Sequence, residues 1–253
     1  MRYVAWSLLL FSVFYSCSKE SEKKEPVSFE IKTFRVESQG GCKSDTLQCA
    51  YFEVTYPEFF GLDTSVVTII KEKVDAAVSL GNPESQGQSM REIGEIFIKD
   101  YDEFKSEIPE SFGGWHYTAS VNVEVLTDTL LSMSVNDEYY TGGAHGGSGV
   151  YFINVNPGTG AEFTLDNFLK PDYKDALTTL GNRIFRETRK LADTASLSDN
   201  YFEFPENKFE LNKNYGFKKE GIVFFYNNYD HVNYSSCYAR NIEGDILVCF
   251  LKK

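Results

Sequence analysis

Positive charge is scarce in this sequence. The 25 lysines and arginines stand against 37 aspartates and glutamates, which gives a formal net charge of -12 at pH 7. Such a chain has no basic stripe to release the counterions of a phosphate backbone, so we expect no nucleic acid partner. The signature strings of P-loop, Rossmann, α/β-hydrolase and zinc-protease sites are missing too. The sequence therefore implies no cofactor, and we expect a binding protein and not an enzyme.

Histidine is also rare, and candidates for catalysis are few. The three histidines, His116, His145 and His231, are separated by 29 and 86 residues, which matches no metal motif, although three could bind zinc with an open fourth position. A metal-dependent hydrolase is therefore a weaker alternative. The competing interpretation is that the histidines are structural residues whose ring nitrogens form hydrogen bonds. The carboxylate pair Asp137-Glu138 is expected to be a solvated strand end, because spacing along the chain cannot show the cleft that a glycosidase needs.

Long apolar runs are confined to the N-terminus. After Arg2, residues 4–15 are mostly apolar, too short to span a hydrocarbon core of about 30 Å but typical of a signal peptide. The run ends at Ser16-Cys17, and residues 18–27 form a polar tether. This pattern resembles a bacterial lipoprotein signal of the Bacteroidetes type, in which Cys17 is acylated; ordinary secretion is the alternative. We expect an outer-membrane lipoprotein that faces the periplasm or the cell surface and contacts the membrane by its lipid anchor only.

The cysteines agree with export. Apart from Cys17 there are four, an even number that suits disulfides in an oxidising compartment. Three pairings are open, and we favour Cys42–Cys49 and Cys237–Cys249. A zinc site of four thiolates is the rival interpretation, and the wide spacing within each pair speaks against it.

Hydrophobic periodicity predicts strands, two helices, strands, a helix and strands, in that order. Helices are expected from Asp63, after Ser89 and over 173–191; strands are expected at 29–36, 51–56, 115–125, 131–135, 150–155, 221–226, 232–238 and 245–251. Residues 139–149 are predicted to be a loop and 192–200 a polar linker. This order indicates an α+β fold with a largely antiparallel sheet and about three packed helices.

The loop Tyr140-Thr141-Gly142-Gly143-Ala144-His145-Gly146 carries a family resemblance. With the segment 164–169 and the stretch Gly221, Phe224, Tyr229, the chain resembles the extracytoplasmic module shared by the RsiV anti-sigma factor and the N-terminal region of the PdaC peptidoglycan deacetylase. The resemblance implies a PdaC-like subdomain at 28–160 and an RsiV-like subdomain at 161–253, after a signal at 1–17. No sigma-binding segment and no deacetylase catalytic domain are recognisable.

The same resemblance implies a binding role. The RsiV relative looks like a lysozyme receptor, and the acidic composition would steer a basic extracytoplasmic protein. A module that recognises peptidoglycan or another glycan, ancillary to cell-wall modification, is the alternative. The expected ligand-binding residues lie in the glycine loop and in a tyrosine-rich segment near the C-terminus: Tyr140, Gly142, Gly143, His145, Gly146, Tyr229, His231 and Tyr234. A purely structural role of the glycine loop stays open, because glycine clusters also solve steric problems.

Overall fold

The structure is a computed structural model that describes residues 26–39, 42, 48–79, 87–111, 113–219 and 221–227, and the backbone of 245–249. A large sheet has five strands, in the spatial order of the chain: β1 Ser28–Glu37, β2 Ala50–Phe60, β3 Trp115–Leu126, β4 Leu131–Tyr140 and β5 Gly147–Val155. Helices α1 (Thr64–Val78) and α2 (Met90–Glu107) connect β2 to β3. Further along the chain lie α3 (Leu165–Phe168), α4 (Tyr173–Thr188) and a small sheet of β6 (Tyr215–Lys218), β7 (Gly221–Tyr226) and β8 (Asp245–Cys249).

The predicted α+β class with its largely antiparallel sheet is confirmed. Only β2 and β3 pair in parallel among the described strands of the large sheet, because the chain crosses over through the two helices before it returns. The elements differ from the prediction in several details. The helix expected over 173–191 ends at Thr188, strands β4 and β5 reduce the expected loop to residues 141–146, and α3 and β6 were not predicted. The expected strand 232–238 lies outside the described residues.

One face of the large sheet is covered by α1 and α2. Their buried residues join apolar side chains of β2 to β5 in the main core, among them Phe52, Ile70, Val121 and Met133. The start of α2 is fixed by a capping box, in which Ser89 and Glu92 exchange side-chain and backbone hydrogen bonds. Gly94 lets α2 approach the sheet, because a Cβ there would lie 2.9 Å from side-chain atoms of Phe52 and Val36. The described residues include no helix that is both long and apolar enough to cross a membrane.

A second core is built from aromatic rings. Phe185 of α4 contacts four rings at centroid distances of 5.0–6.1 Å, those of Phe202, Phe204, Phe209 and Tyr226. The segment 192–200, which was expected to be a polar linker, contributes Leu197, whose side chain is fully buried in this core. We refer to residues 161–227 as the C-terminal region.

The C-terminal region docks on the polar face of the large sheet and on the free edge of β5. The side-chain amide of Asn214 accepts from the N–H of Phe152 (3.1 Å) and donates to the carbonyl of Val150 (2.6 Å). Asn227 accepts from the N–H of Val150 (2.8 Å) and donates to the same carbonyl (3.0 Å). Two amide side chains thus satisfy an edge that would otherwise need another strand.

The predicted Cys42–Cys49 disulfide is present, with Cα atoms 5.5 Å apart. Its loop connects β1 to β2. The predicted Cys237–Cys249 bridge and the acylation of Cys17 fall outside the described side chains, and both stay predictions.

Candidate functional site

The candidate site is a groove on the polar face of the large sheet, with a volume of about 600 Å³. Alternate residues of three adjacent strands form its floor, because successive side chains of a strand point to opposite faces. The side chains of the floor are Glu53, Thr55, Thr118, Ser120, Asn136 and Glu138, and Gly146, Gly147 and Ser148 form one wall. None of the described residues of the C-terminal region lines it.

Two carboxylates give the groove an acidic character. Glu138 is largely exposed, with 68% of its side chain accessible, and its Oε1 lies 4.0 Å from Nε2 of His116. Glu53 is held by Arg35, whose Nη1 donates to it over 2.8 Å while its Nε donates to Glu37 over 2.6 Å. Because the single charge of Arg35 is shared between Glu53 and Glu37, these three side chains together keep a net negative charge. A groove lined by carboxylates, hydroxyls and an amide suits a cationic or hydroxyl-rich ligand.

A row of stacked rings borders the groove. Tyr51, His116 and Tyr140 are register partners on β2, β3 and β4, with ring centroids 5.8 Å and 6.1 Å apart. Arg35 covers the outer end of the row, with its Cζ 4.2 Å from the centroid of Tyr51. We call the three stacked rings the aromatic row. Tyr140 was predicted from the sequence as a binding residue and His116 was named only as a possible zinc ligand, whereas Tyr51 and Arg35 become visible once the strand register is known.

The glycine loop adjoins the same groove, and backbone conformation or close contacts require glycine at several of its positions. Tyr140 donates from its hydroxyl to the carbonyl of Gly143 over 2.8 Å, which ties the loop to the row. Gly142 and Gly143 adopt left-handed φ angles of 89° and 93°. A Cβ on Gly146 would lie 2.5 Å from the carbonyl oxygen of Tyr139. His145 is exposed in this loop, next to Gly146 of the groove wall. Their predicted role in ligand binding stays a prediction.

Two family models match the chain. Residues 42–148 match the family described as deacetylase PdaC, and residues 166–244 match the protein family of unknown function DUF3298. The chain therefore carries a PdaC-like region followed by a DUF3298 region. The predicted resemblance is therefore confirmed, and what it identifies is a family of unknown function.

Solved structures of this family share the fold. A DUF3298 member from Bacteroides fragilis has 19% sequence identity and a TM-score of 0.60, and the match covers 88% of this chain and 90% of that one. A DUF3298 family protein from Pseudomonas aeruginosa has 18% identity and a TM-score of 0.58, with 89% and 91% covered. No curated protein matches the sequence.

Asp137, a buried carboxyl of the PdaC region, was misplaced by the sequence interpretation. Asp137 was expected at a solvated strand end, but only 7% of it is exposed. Burial raises the pKa of Asp137 to about 6. Hydrogen bonds from the N–H of Gly149 and the hydroxyl of Tyr117 act in the opposite direction and lower the pKa, but burial is the larger cause. Burial, together with the charge of Asp137, raises the pKa of Tyr117. Asp137 and Glu138 point to opposite faces of β4 and therefore do not form a catalytic carboxylate pair.

The other predicted site residues are not brought together by the described structure. His116 lies in the aromatic row and His145 in the glycine loop, whereas His231 lies outside the described residues. Within the described part of the chain, no group of three His, Cys, Asp or Glu side chains is placed to hold a metal ion. Tyr229 and Tyr234 also fall outside the described residues, so their predicted contact role is untested.

Proposed function

We propose that this PdaC/DUF3298 protein is an envelope lipoprotein, not an enzyme, whose groove binds a basic extracytoplasmic protein such as lysozyme. Acylation of Cys17 would anchor it in the outer membrane, facing the periplasm or the cell surface. The observation that carries the proposal is the open acidic groove, where Glu53 and Glu138 lie among hydroxyl and amide groups.

The charge distribution supports a cationic partner. The formal net charge of -12 attracts a basic protein from a distance, and the groove offers carboxylates at the point of contact. Glu138 has no lysine or arginine partner among the described ion pairs; its one such contact is His116. An incoming lysine or arginine side chain can therefore form the stronger pair with this carboxylate.

The groove is built to hold its shape when a partner binds. Its floor lies on three hydrogen-bonded strands, and its border is fixed by the aromatic row and by the Tyr140–Gly143 hydrogen bond. A rigid surface loses little conformational entropy on association, which favours specific binding.

Calorimetric titration with lysozyme tests the proposal, with an unrelated protein of equal positive charge as the control ligand. We expect micromolar or tighter binding of lysozyme alone, weakened by Glu138→Gln and unchanged by Glu72→Gln. Glu72 is exposed on α1, which covers the other face of the sheet, so the second variant removes the same charge away from the groove. Equal binding of both ligands, or equal effects of the two variants, would show charge attraction without a site.

A glycan is the second candidate ligand, and the aromatic row favours it. Tyrosine and histidine rings beside hydroxyl and amide groups are common in surfaces that contact sugars, since they combine apolar area with hydrogen-bonding groups. Salt separates the two candidates. Binding of the basic protein should weaken strongly at about 0.3 M salt, where screening acts within a few ångströms. Binding of peptidoglycan fragments should resist salt and be lost in Tyr51→Ala or Tyr140→Ala, which remove rings of the row.

A further inference from the structure

The two edges of the large sheet are finished differently. Along the edge of β5, the amides of Asn214 and Asn227 bind the backbone of residues 150 and 152. β1 forms the other edge, and no described strand pairs with its outer side. None of its residues is buried, none is proline, and its pairing with β2 has no bulge. A cover, a proline and a bulge are common protections of a sheet edge, so the described structure leaves β1 ready to pair with another strand.

The first half of β1 is the more accessible part of this edge. Ile31 is 58% exposed and Phe29 38%, so two large apolar side chains face water. Helix α2 lies over the second half, where a Cβ on Gly94 would come within 2.9 Å of Val36 and 3.1 Å of Phe34. A strand that pairs with β1 therefore has most room beside its first half.

A second copy of the chain can supply that strand, and symmetry restricts its register. When two identical strands pair antiparallel about a two-fold axis, one residue faces itself, and the residue before it faces the residue after it. An axis at Glu30, Lys32 or Arg35 would place like charges opposite each other, which is destabilising. Opposite charges of β1 face each other only when the axis lies at Ile31 or at Val36.

The axis at Ile31 agrees better with the structure. It pairs residues 28–34, which contain the accessible half, and it leaves Val36 of the two copies ten positions apart, about 33 Å along the strands. The axis at Val36 would pair only residues 35–37 of β1 and would bring the segments covered by α2 together. We therefore take Ile31 as the residue on the axis.

This register gives the exposed side chains complementary partners. Ile31 faces the same residue of the copy, and Phe29 faces a threonine. Glu30 faces Lys32 of the copy at two symmetric places. Within one chain Glu30 stands opposite Glu58, and the two share Lys32 at 2.8 Å and 3.5 Å, so the copy brings a second lysine to a pair of like charges. These contacts act against the repulsion between two chains of net charge -12, which salt screens beyond about 8 Å.

We propose that β1 is a dimer interface, at which two copies pair antiparallel through residues 28–34 about a two-fold axis at Ile31. Antiparallel pairing of identical strands puts the axis perpendicular to the sheet, so the two large sheets join into one and their polar faces lie on the same side. Both grooves then open toward that side, and a partner with two contact sites binds with higher avidity. The contact does not depend on what the groove binds.

Disulfide cross-linking tests the contact, because only a residue on the axis faces itself. Full-length protein that carries Ile31→Cys is oxidised in intact cells, and the covalent dimer is measured by non-reducing electrophoresis. Thr33→Cys is the matched control, since Thr33 is exposed on the same face of β1 and its two copies would lie four positions apart, about 13 Å along the strands. We expect at least about fivefold more dimer from Ile31→Cys than from Thr33→Cys or the wild type, because facing Cα atoms lie within disulfide range. Equal yields, or a cross-link from position 31 to a different protein, would overturn the proposal.

Charge exchange tests the same register without a new thiol. Copies with two different tags are co-expressed, and co-purification measures their association. Lys32→Glu or Glu30→Lys alone places like charges opposite each other, and we expect each to lower co-purification at least about threefold. A Lys32→Glu copy combined with a Glu30→Lys copy has opposite charges at both places and should recover the co-purification of the wild type. Association that ignores these charges, or that the combination does not recover, contradicts the proposed pairing.

Discussion

The polar face of the large sheet is covered at one end and open at the other, although both ends carry serines, asparagines and glutamates. At the covered end, Ser132 donates to Asn154 and accepts from the N–H of Phe217, and Asn154 donates to the carbonyl of Tyr215. At the open end, Glu138 and Asn136 face the groove instead of the C-terminal region. The same residue types therefore build an internal interface at one end and leave a binding surface at the other. The difference is whether backbone partners are supplied across the interface.

Among the variants that compare the two ends, replacement of Asn214 should lower the free energy of unfolding the most. Asn214→Leu leaves the N–H of Phe152 without its partner at a partly buried edge, and it leaves the carbonyl of Val150 with the amide of Asn227 alone. We expect a loss of about 3 kcal/mol in the free energy of unfolding, measured by urea denaturation. Asn136→Leu is the control at the open end and should change stability by less than about 0.5 kcal/mol. Equal losses would mean that the two ends do not differ.

The buried carboxyl of Asp137 predicts a smaller effect that depends on pH. Its pKa is raised to about 6, so the folded state binds this proton more tightly than the unfolded chain does. The contribution is present in full below the ordinary pKa of aspartate and is lost as pH rises through 6. At pH 7, Asp137→Asn should stabilise the protein by about 1–2 kcal/mol, because no buried charge remains.

Urea denaturation of the wild type and Asp137→Asn at about pH 5 and pH 7 checks this expectation. The wild type should gain stability relative to the variant as pH falls. A variant that is less stable than the wild type at pH 7 would show that the ionised carboxylate is needed by its neighbours Tyr117 and Gly149.

A substitution in the aromatic row should change the free energy of unfolding by less than the substitutions of Asn214 and Asp137 do. Tyr51→Ala removes the stacking on His116 and the contact with Arg35, and we expect a loss of about 0.5–1 kcal/mol. Thermal unfolding of this variant, compared with Tyr201→Ala, measures the row against an exposed aromatic residue elsewhere. A loss above about 3 kcal/mol would place Tyr51 in the core instead of on the groove border.

The smallest effect on stability is expected at the centre of the groove. Glu138→Gln should change the free energy of unfolding by less than about 0.5 kcal/mol, because its carboxylate is exposed and its contact with His116 is 4.0 Å long. Chemical denaturation of this variant measures the effect. A marked destabilisation would show that Glu138 serves the fold and would weaken its proposed role as a contact residue.

Local pattern was enough for most of the fold but not for the site. The alternation over 115–125, the signals around Ser89 and the spacing of Cys42 and Cys49 predicted β3, α2 and the disulfide correctly. Leu197 and Asp137 were misplaced because their burial depends on residues distant in sequence. The row of Tyr51, His116 and Tyr140 was missed for the same reason: it requires the register of three strands, one pair of them parallel, and no local window contains that information.

Amide hydrogen exchange of the exported protein with and without lysozyme tests the central claim most directly. The account predicts slower exchange at the open end of the polar face, in segments 51–55, 116–120 and 136–148, with α1 and α2 on the other face unchanged. Protection confined to the helices, or equal protection by an unrelated protein of the same charge, would contradict the assignment of the groove as the binding site.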